Sequence, residues 1–269
     1  MTKQNRSQVS GRSKLALAAI VLGFSGVAVA DTVLITGANS GIGLELTRQY
    51  AAKGWDVIAT HRREQTPESL AALAKQHPKL RVEKMDVSSH EQVFGLAQKL
   101  RGQPIDVLIN NAGLFCLCDW EDDNDRSQQF GSLNYEHFDP IMRANVMGVI
   151  MVSEAFAENV KASRQKKMIT MSSSVGTISR PGRGAFWYAS SKAAVNKINV
   201  NLAEVLKSAD VIVVPMHPGA VRVEKQANDP GTHLIDTDFS VRNIITTIDK
   251  LTMSQSGKFT NYDGKELPW

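Results

Sequence analysis

The chain has 269 residues, 42% of them apolar, and a formal charge of +4. That length and composition suffice for one large buried core and exclude a collagenous, disordered or disulfide-framework protein. Nor does the charge point to nucleic acid: Lys3, Arg6, Arg12 and Lys14 lie in the first 30 residues without an acid beside them, and setting those four aside leaves 27 basic residues against 27 acidic ones.

The first 30 residues pass from this basic stretch into an apolar run, LALAAIVLGFSGVAVA, that ends in Ala28-Val29-Ala30 before Asp31. The three-part pattern reads as a signal peptide. Its 16 apolar and small residues are few for a membrane span, so an uncleaved N-terminal anchor is one alternative and a dispensable or misassigned start another. The expected location is therefore outside the cytoplasm or at a membrane, with the cytoplasm as the alternative; no twin-arginine pair precedes the apolar run. Residues 31–269 form the expected catalytic domain.

From Thr32 onward, short β-branched runs alternate with segments of helical period. Strands are predicted at 32–36, 56–60, 80–84, 105–109, 168–171, 211–215 and near 258–260, and helices at 41–53, 67–77, 89–101, 135–160, 187–208 and 240–251. This strict alternation predicts an α/β fold: a single Rossmann-type, doubly wound parallel sheet of about seven strands with helices on both faces. No repeat and no flexible linker divides it. The acidic run at 119–125, DWEDDND, reads as a solvated loop, with cation binding as the lesser alternative. Cys116 and Cys118 are too close to staple distant chain, and no other Cys or paired His supplies metal-ligand spacing.

The first strand runs into Thr36-Gly37-Ala38-Asn39-Ser40-Gly41-Ile42-Gly43 and then directly into a helix. Such a turn lets backbone approach a pyrophosphate, whose charge the free N–H groups of the helix N-terminus stabilise. Gly37 permits the sharp turn, Gly41 the close approach and Gly43 tight helix–strand packing. The second strand ends His61-Arg62-Arg63, with no acid to hold a ribose 2′-hydroxyl, whereas Arg62 can pair with a 2′-phosphate. NADP(H) is therefore expected rather than NAD(H). Tyr188 and Lys192, four residues apart, share a helical face, and an ammonium beside a phenol favours its phenolate.

At this point the sequence from Thr32 to its C-terminus resembles the short-chain dehydrogenase/reductase family. The resemblance rests on TGANSGIG at 36–43, Asp86-Val87, Asn110-Asn111-Ala112-Gly113, Asn145, Ser172-Ser173-Ser174, YASSK at 188–192 and Pro218-Gly219. It implies hydride transfer between NADP(H) and a carbonyl or alcohol, with Tyr188 as general acid/base, Lys192 lowering its pKa and holding the nicotinamide ribose, and Asn145 anchoring a water in a proton relay. The family spacing of two serines, two free positions and glycine selects Ser173 to orient the substrate oxygen, with Ser174 as runner-up. The resemblance places Asp86 and Val87 at the adenine, Asn110, Asn111, Ala112 and Gly113 at the adenosine ribose, and Pro218, Gly219 and Val221 at the nicotinamide. Where the family often has threonine after Pro-Gly, this chain has Val221 and Val223.

The ending SGKFTNYDGKELPW at 256–269 is similar to that of C-factor-like proteins and small carbonyl reductases. That likeness implies a short substrate loop between Arg222 and Phe239, and it supplies a second class of function: a non-enzymatic nucleotide-binding signalling or sensor protein. His217 and His233 near this loop read as structural or surface residues before substrate contacts. A homodimer or homotetramer is implied by the resemblance alone.

Overall fold

The computed structural model describes residues 1–2, 30–115, 117, 127–182, 184–222 and 234–269. The leader, the two cysteines, the acidic run at 119–125, Val223 and His233 lie outside the described residues.

In chain order the elements are β1 (Thr32–Ile35), α1 (Gly41–Ala52), β2 (Asp56–His61), α2 (Glu68–Gln76), β3 (Leu80–Lys84), α3 (His90–Lys99) and β4 (Val107–Asn110). They continue with α4 (Phe138–Met142), α5 (Gly148–Ala155), α6 (Ala157–Lys161), β5 (Lys167–Met171), α7 (Phe186–Leu206), β6 (Ile212–His217), β7 (Val221–Arg222), β8 (Ile235–Asp236), α8 (Thr237–Lys250) and β9 (Thr260–Asn261). Seven strands form one parallel sheet in the order β3-β2-β1-β4-β5-β6-β9. The chain reverses its direction of progress between β1 and β4, and in such sheets a crevice opens at that point beyond the strand C-termini.

The apolar runs read from the sequence are buried on both faces. Val33, Ile35, Val107 and Ile109 face a core shared with Leu46, Tyr50, Val241 and Ile244 of α1 and α8. Leu34 and Leu108, one residue out of phase, face a second core with Val152, Phe156 and Leu206. Alternate side chains of each strand thus serve opposite layers, which explains continuous rather than alternating hydrophobicity.

Two departures from the predicted elements are informative. The single helix expected at 135–160 is broken into α4, a π-helical turn at Arg143–Met147, α5 and α6. Gly148 lets this segment press onto Val87: a Cβ there would come within 2.9 Å of Val87 Cγ2. The widened turn carries Asn145 inward, where its side chain bonds the main chain of Leu114. Second, β7 and β8 form a separate two-stranded parallel ribbon, joining the two ends of the segment between β6 and α8. Two residues a strand are too few for any periodic signal in the sequence.

At the opposite edge of the sheet from the crevice, buried Asp106 binds three strand or loop ends together. Its carboxylate accepts the N–H of Thr32 at 2.9 Å and those of Arg164 and Gln165 at 3.2 Å each. Replacing Asp106 by Ala would strand these donors, at roughly 1–3 kcal/mol for a buried unpaired group. Asp106→Ala is expected to lower unfolding stability by about 3 kcal/mol and Asp106→Asn by about 1 kcal/mol in urea denaturation, with nucleotide affinity unchanged in both.

Candidate active site

The glycine turn follows β1 at the crevice. Gly37 adopts φ +64°, and a Cβ on it would lie 2.8 Å from the Cα of Ala112. A Cβ on Gly43 would lie 2.3 Å from the oxygen of Gly37, so neither position tolerates a side chain in this packing. Thr36 binds the turn to the end of β4: its Oγ1 accepts the N–H groups of Asn111 and Ala112, both at 3.0 Å. Asn111 Nδ2 returns bonds to the oxygens of Thr36 (2.9 Å) and Gly37 (3.1 Å). Ser40 precedes α1 with no side-chain bond to the helix, and the first turn carries no acid. This uncapped, glycine-lined N-terminus suits a phosphate.

A cleft of about 830 Å³ opens above the turn. Gly37, Ser40, Gly41, Ile42, Gly43, Arg62, Asp86, Val87, Asn111, Ala112 and Gly113 all line it. Arg63, Phe115 and Arg143, which sequence reasoning did not select, line it too. Arg62 and Arg63 are exposed at the end of β2. Asp86 is held by Ser88, whose N–H and hydroxyl reach its Oδ1 at 2.9 and 2.6 Å.

Asn110 departs from its expected place. Its side chain is buried and donates to Ser153 Oγ at 3.0 Å, on the α5 side of β4, and it does not line the cleft. The alternation of β4 explains this: consecutive side chains point to opposite faces, so Asn110 and Asn111 serve different layers. Pro218, Gly219 and Val221 also stand outside the cleft lining. Gly219, at φ +88°, packs where a Cβ would lie 2.6 Å from Ile235, and Val221 is occupied in pairing with Ile235.

Beyond the cleft, Tyr188 and Lys192 lie in the first two turns of α7. Lys192 is buried, its Nζ 5.5 Å from the centre of the Tyr188 ring, and it donates to the oxygen of Met171 at 2.7 Å. Burial pulls the ammonium down to about 8 and pushes the Tyr188 phenol up to about 12, the latter opposed by a hydrogen bond with Ser173. Burial thus shifts both groups towards neutrality, Lys192 staying mostly charged at neutral pH, and the phenol is raised rather than lowered as the resemblance implied, because burial outweighs its neighbours.

The three serines after β5 have different tasks. Ser172 is buried and donates to Asn196 Oδ1 at 2.5 Å, whereas Ser173 meets Tyr188. Ser174 gives its N–H to His217 Nδ1 at 3.3 Å. Burial lowers His217 to about 4, so the ring stays neutral as a structural acceptor.

Asn145 is joined to the same helix. Its Oδ1 accepts Leu114 N–H at 2.7 Å, and its Nδ2 donates to Leu114 O at 2.8 Å and to Ser191 Oγ at 2.9 Å. Ser191 in turn donates to the oxygen of Tyr188 at 2.7 Å. Sequence reasoning missed Ser191 and Thr36, although both sit inside motifs it used. Gln128 has no such local signal.

Known proteins resemble this chain along most of its length. A dehydrogenase of Rhodococcus sp. (strain AD45), acting on 1-hydroxy-2-glutathionyl-2-methyl-3-butene by its name, is 30% identical over 89% of this chain and 100% of its own. The C-signal of Myxococcus xanthus is 29% identical, covering 62% of this chain and 93% of its own. The NADPH-bound carbonyl reductase from chicken fatty liver superposes with a TM-score of 0.79 at 25% identity, over 89% of this chain and 99% of that one. Residues 31–232 match the short chain dehydrogenase family model, and the chain belongs to that family.

Proposed function

We propose that this chain is an NADP(H)-dependent oxidoreductase that reduces a carbonyl group, using Tyr188, Ser173, Lys192 and Asn145. The observation that carries the proposal is the placing of the buried Lys192, its Nζ 5.5 Å from the centre of the Tyr188 ring, on the same helix as a phenol that Ser173 influences.

The cofactor reading rests on the chain's own residues and on likeness. The uncapped α1 N-terminus and the crowded glycines fit a pyrophosphate, and the guanidinium of Arg62 fits a 2′-phosphate where NAD-binding sites carry an acid. The similar chicken carbonyl reductase binds NADPH. When bound, such a nucleotide supplies the hydride.

Ser173 and the Tyr188 phenol hold the substrate oxygen between them, and the phenol gives that oxygen its proton. A phenol held at about 12 is fully protonated at neutral pH, so it stands ready as an acid. Lys192, close to neutrality at about 8, can pass a proton towards the phenolate, while Asn145 fixes the helix through Ser191 and anchors the water that completes the relay.

The first test is fluorescence titration of the full chain with NADPH and NADH, followed by a panel of aldehydes and ketones. Tyr188→Phe is expected to keep NADPH affinity and to lose roughly a hundredfold or more in kcat. Binding without turnover in the wild-type chain would instead favour the sensor reading, for which the C-signal relative is the prompt. Arg62→Glu should weaken NADPH roughly tenfold to a hundredfold and leave NADH almost unchanged.

Lys192 gives a pH prediction. Its folded value near 8 lies below the ordinary 10.5, so the unfolded chain binds more protons between those values and stability rises with pH across that window. Below pH 8 the full penalty, about 3 kcal/mol, is present. Lys192→Met should therefore be inactive yet more stable than wild type, with a melting-temperature advantage greatest below pH 8 and shrinking towards pH 10.5.

A further inference from the structure

Helix α7 presents Tyr188 in its first turn, yet it has no cap of its own: Ala185 sits at φ 50°, in the left-handed region, and offers no side-chain acceptor. One residue from a distant part of the chain meets the free N–H groups instead. The main-chain oxygen of Gln128 accepts Phe186 N–H at 3.1 Å, and its side-chain Oε1 accepts Tyr188 N–H at 2.9 Å. The same amide's Nε2 donates to the oxygen of Phe115 at 2.7 Å.

The two partners, one a donor and one an acceptor, define which end of the amide faces which. Gln128 is only 8% exposed, so each bond replaces one that water cannot readily make. Phe115 lines the cleft and lies against Tyr188, with ring centres 4.8 Å apart. The amide thus spans the gap between an apolar wall of the cleft and the backbone of the residue expected to move the proton.

We propose that Gln128 is a positioning residue: its amide sets the separation of Phe115 from Tyr188 and so holds the carbonyl substrate against the phenol. This rests on the reductase reading above. No neighbouring motif contains Gln128, and it acts through Phe115 and Tyr188, touching no reacting atom itself.

Glutamate at this position provides a decisive variant. An ionised carboxylate still accepts Tyr188 N–H but faces Phe115 O without a proton to donate; the protonated acid can make both bonds. Burial beside a carbonyl raises the pKa of such a carboxyl. In the full chain, with the panel aldehyde that wild type reduces fastest, Gln128→Glu should raise KM about tenfold at high pH and recover towards wild type as pH falls. Gln128→Ala should stay impaired at every pH, and NADPH affinity should remain within about twofold of wild type in both variants.

Equal KM and kcat for wild type and both variants across pH, or parallel losses without recovery of the glutamate variant, would overturn the proposal. Hydrogen exchange provides a readout independent of turnover: the Tyr188 amide, which bonds the side chain, should exchange faster in Gln128→Ala, whereas the Phe186 amide keeps its main-chain acceptor. Should wild type reduce nothing on the panel, the reductase reading falls; unchanged exchange at the Tyr188 amide overturns the Gln128 assignment separately.

Discussion

The clasp between Thr36 and Asn111 is the constraint from which the rest of the site follows. At the point where the strand order reverses, β1 and β4 are neighbours whose following segments part company, and a crevice is the consequence. Thr36 Oγ1 and the Asn111 amide tie the two segments together just beyond the strands, so the glycine turn cannot drift from the end of β4. From there the order propagates through adjoining contacts. A Cβ on Gly113 would meet Asn145 Oδ1 at 3.2 Å and Lys192 Nζ at 3.7 Å. Asn145 binds Ser191, which binds Tyr188, and Lys192 binds the end of β5. The glycine turn and the group around Tyr188 are therefore adjoining parts of one packed assembly, each internally hydrogen-bonded and brought together at Gly113.

That assembly is not arranged for stability. Lys192 is buried with a main-chain oxygen as its bonding partner and, among the described residues, no carboxylate paired with it, and burial moves both it and Tyr188 towards neutrality. A cation without a counter-ion in a dry interior is unfavourable, and its presence makes sense through chemistry rather than packing. Lys167 provides a contrast within the same sheet. It is also buried and also lowered by burial, but its Nζ reaches the oxygens of Ile248 and Asp249 at the C-terminal end of α8, where a positive charge meets the negative end of the helix. The one lysine stabilises an element boundary; the other lies beside Tyr188, where the proposed reaction moves a proton.

Membership of the short chain dehydrogenase family establishes the architecture and the general class of chemistry, but the fold by itself does not assign a reaction. The relatives make this plain, since a dehydrogenase of a glutathionyl alcohol and a protein known as C-signal both resemble this chain. The proposed reductase reading rests instead on the local state of four side chains, Tyr188, Ser173, Lys192 and Asn145. Ser172 illustrates how fine the distinction is: it neighbours Ser173, yet its hydroxyl is bonded to Asn196 while that of Ser173 is at Tyr188.

Much of this was legible in the sequence because the signals were local. Strands buried on both faces appear as continuous apolar runs, helices as a repeat of 3.6 residues, and the special positions of the glycine turn as the crowded Gly37 and Gly43 and the left-handed Gly41. Those features fix backbone course, and they identified the elements of the main sheet and the side of it on which the motifs gather. Side-chain direction and long-range pairing were not local. Asn110 was grouped with Asn111 by adjacency, but the pleat turned it towards Ser153. The helix predicted over 135–160 was interrupted by a π turn because Asn145 bonds Leu114, a residue 31 positions away. Gln128 lies 60 residues before Tyr188, in the helix it caps. The sequence alone therefore determined the order of elements and the residue types available for chemistry. Only the tertiary structure decided which of them meet, because a hydrogen bond depends on the distance between its partners in space and not on their separation along the chain.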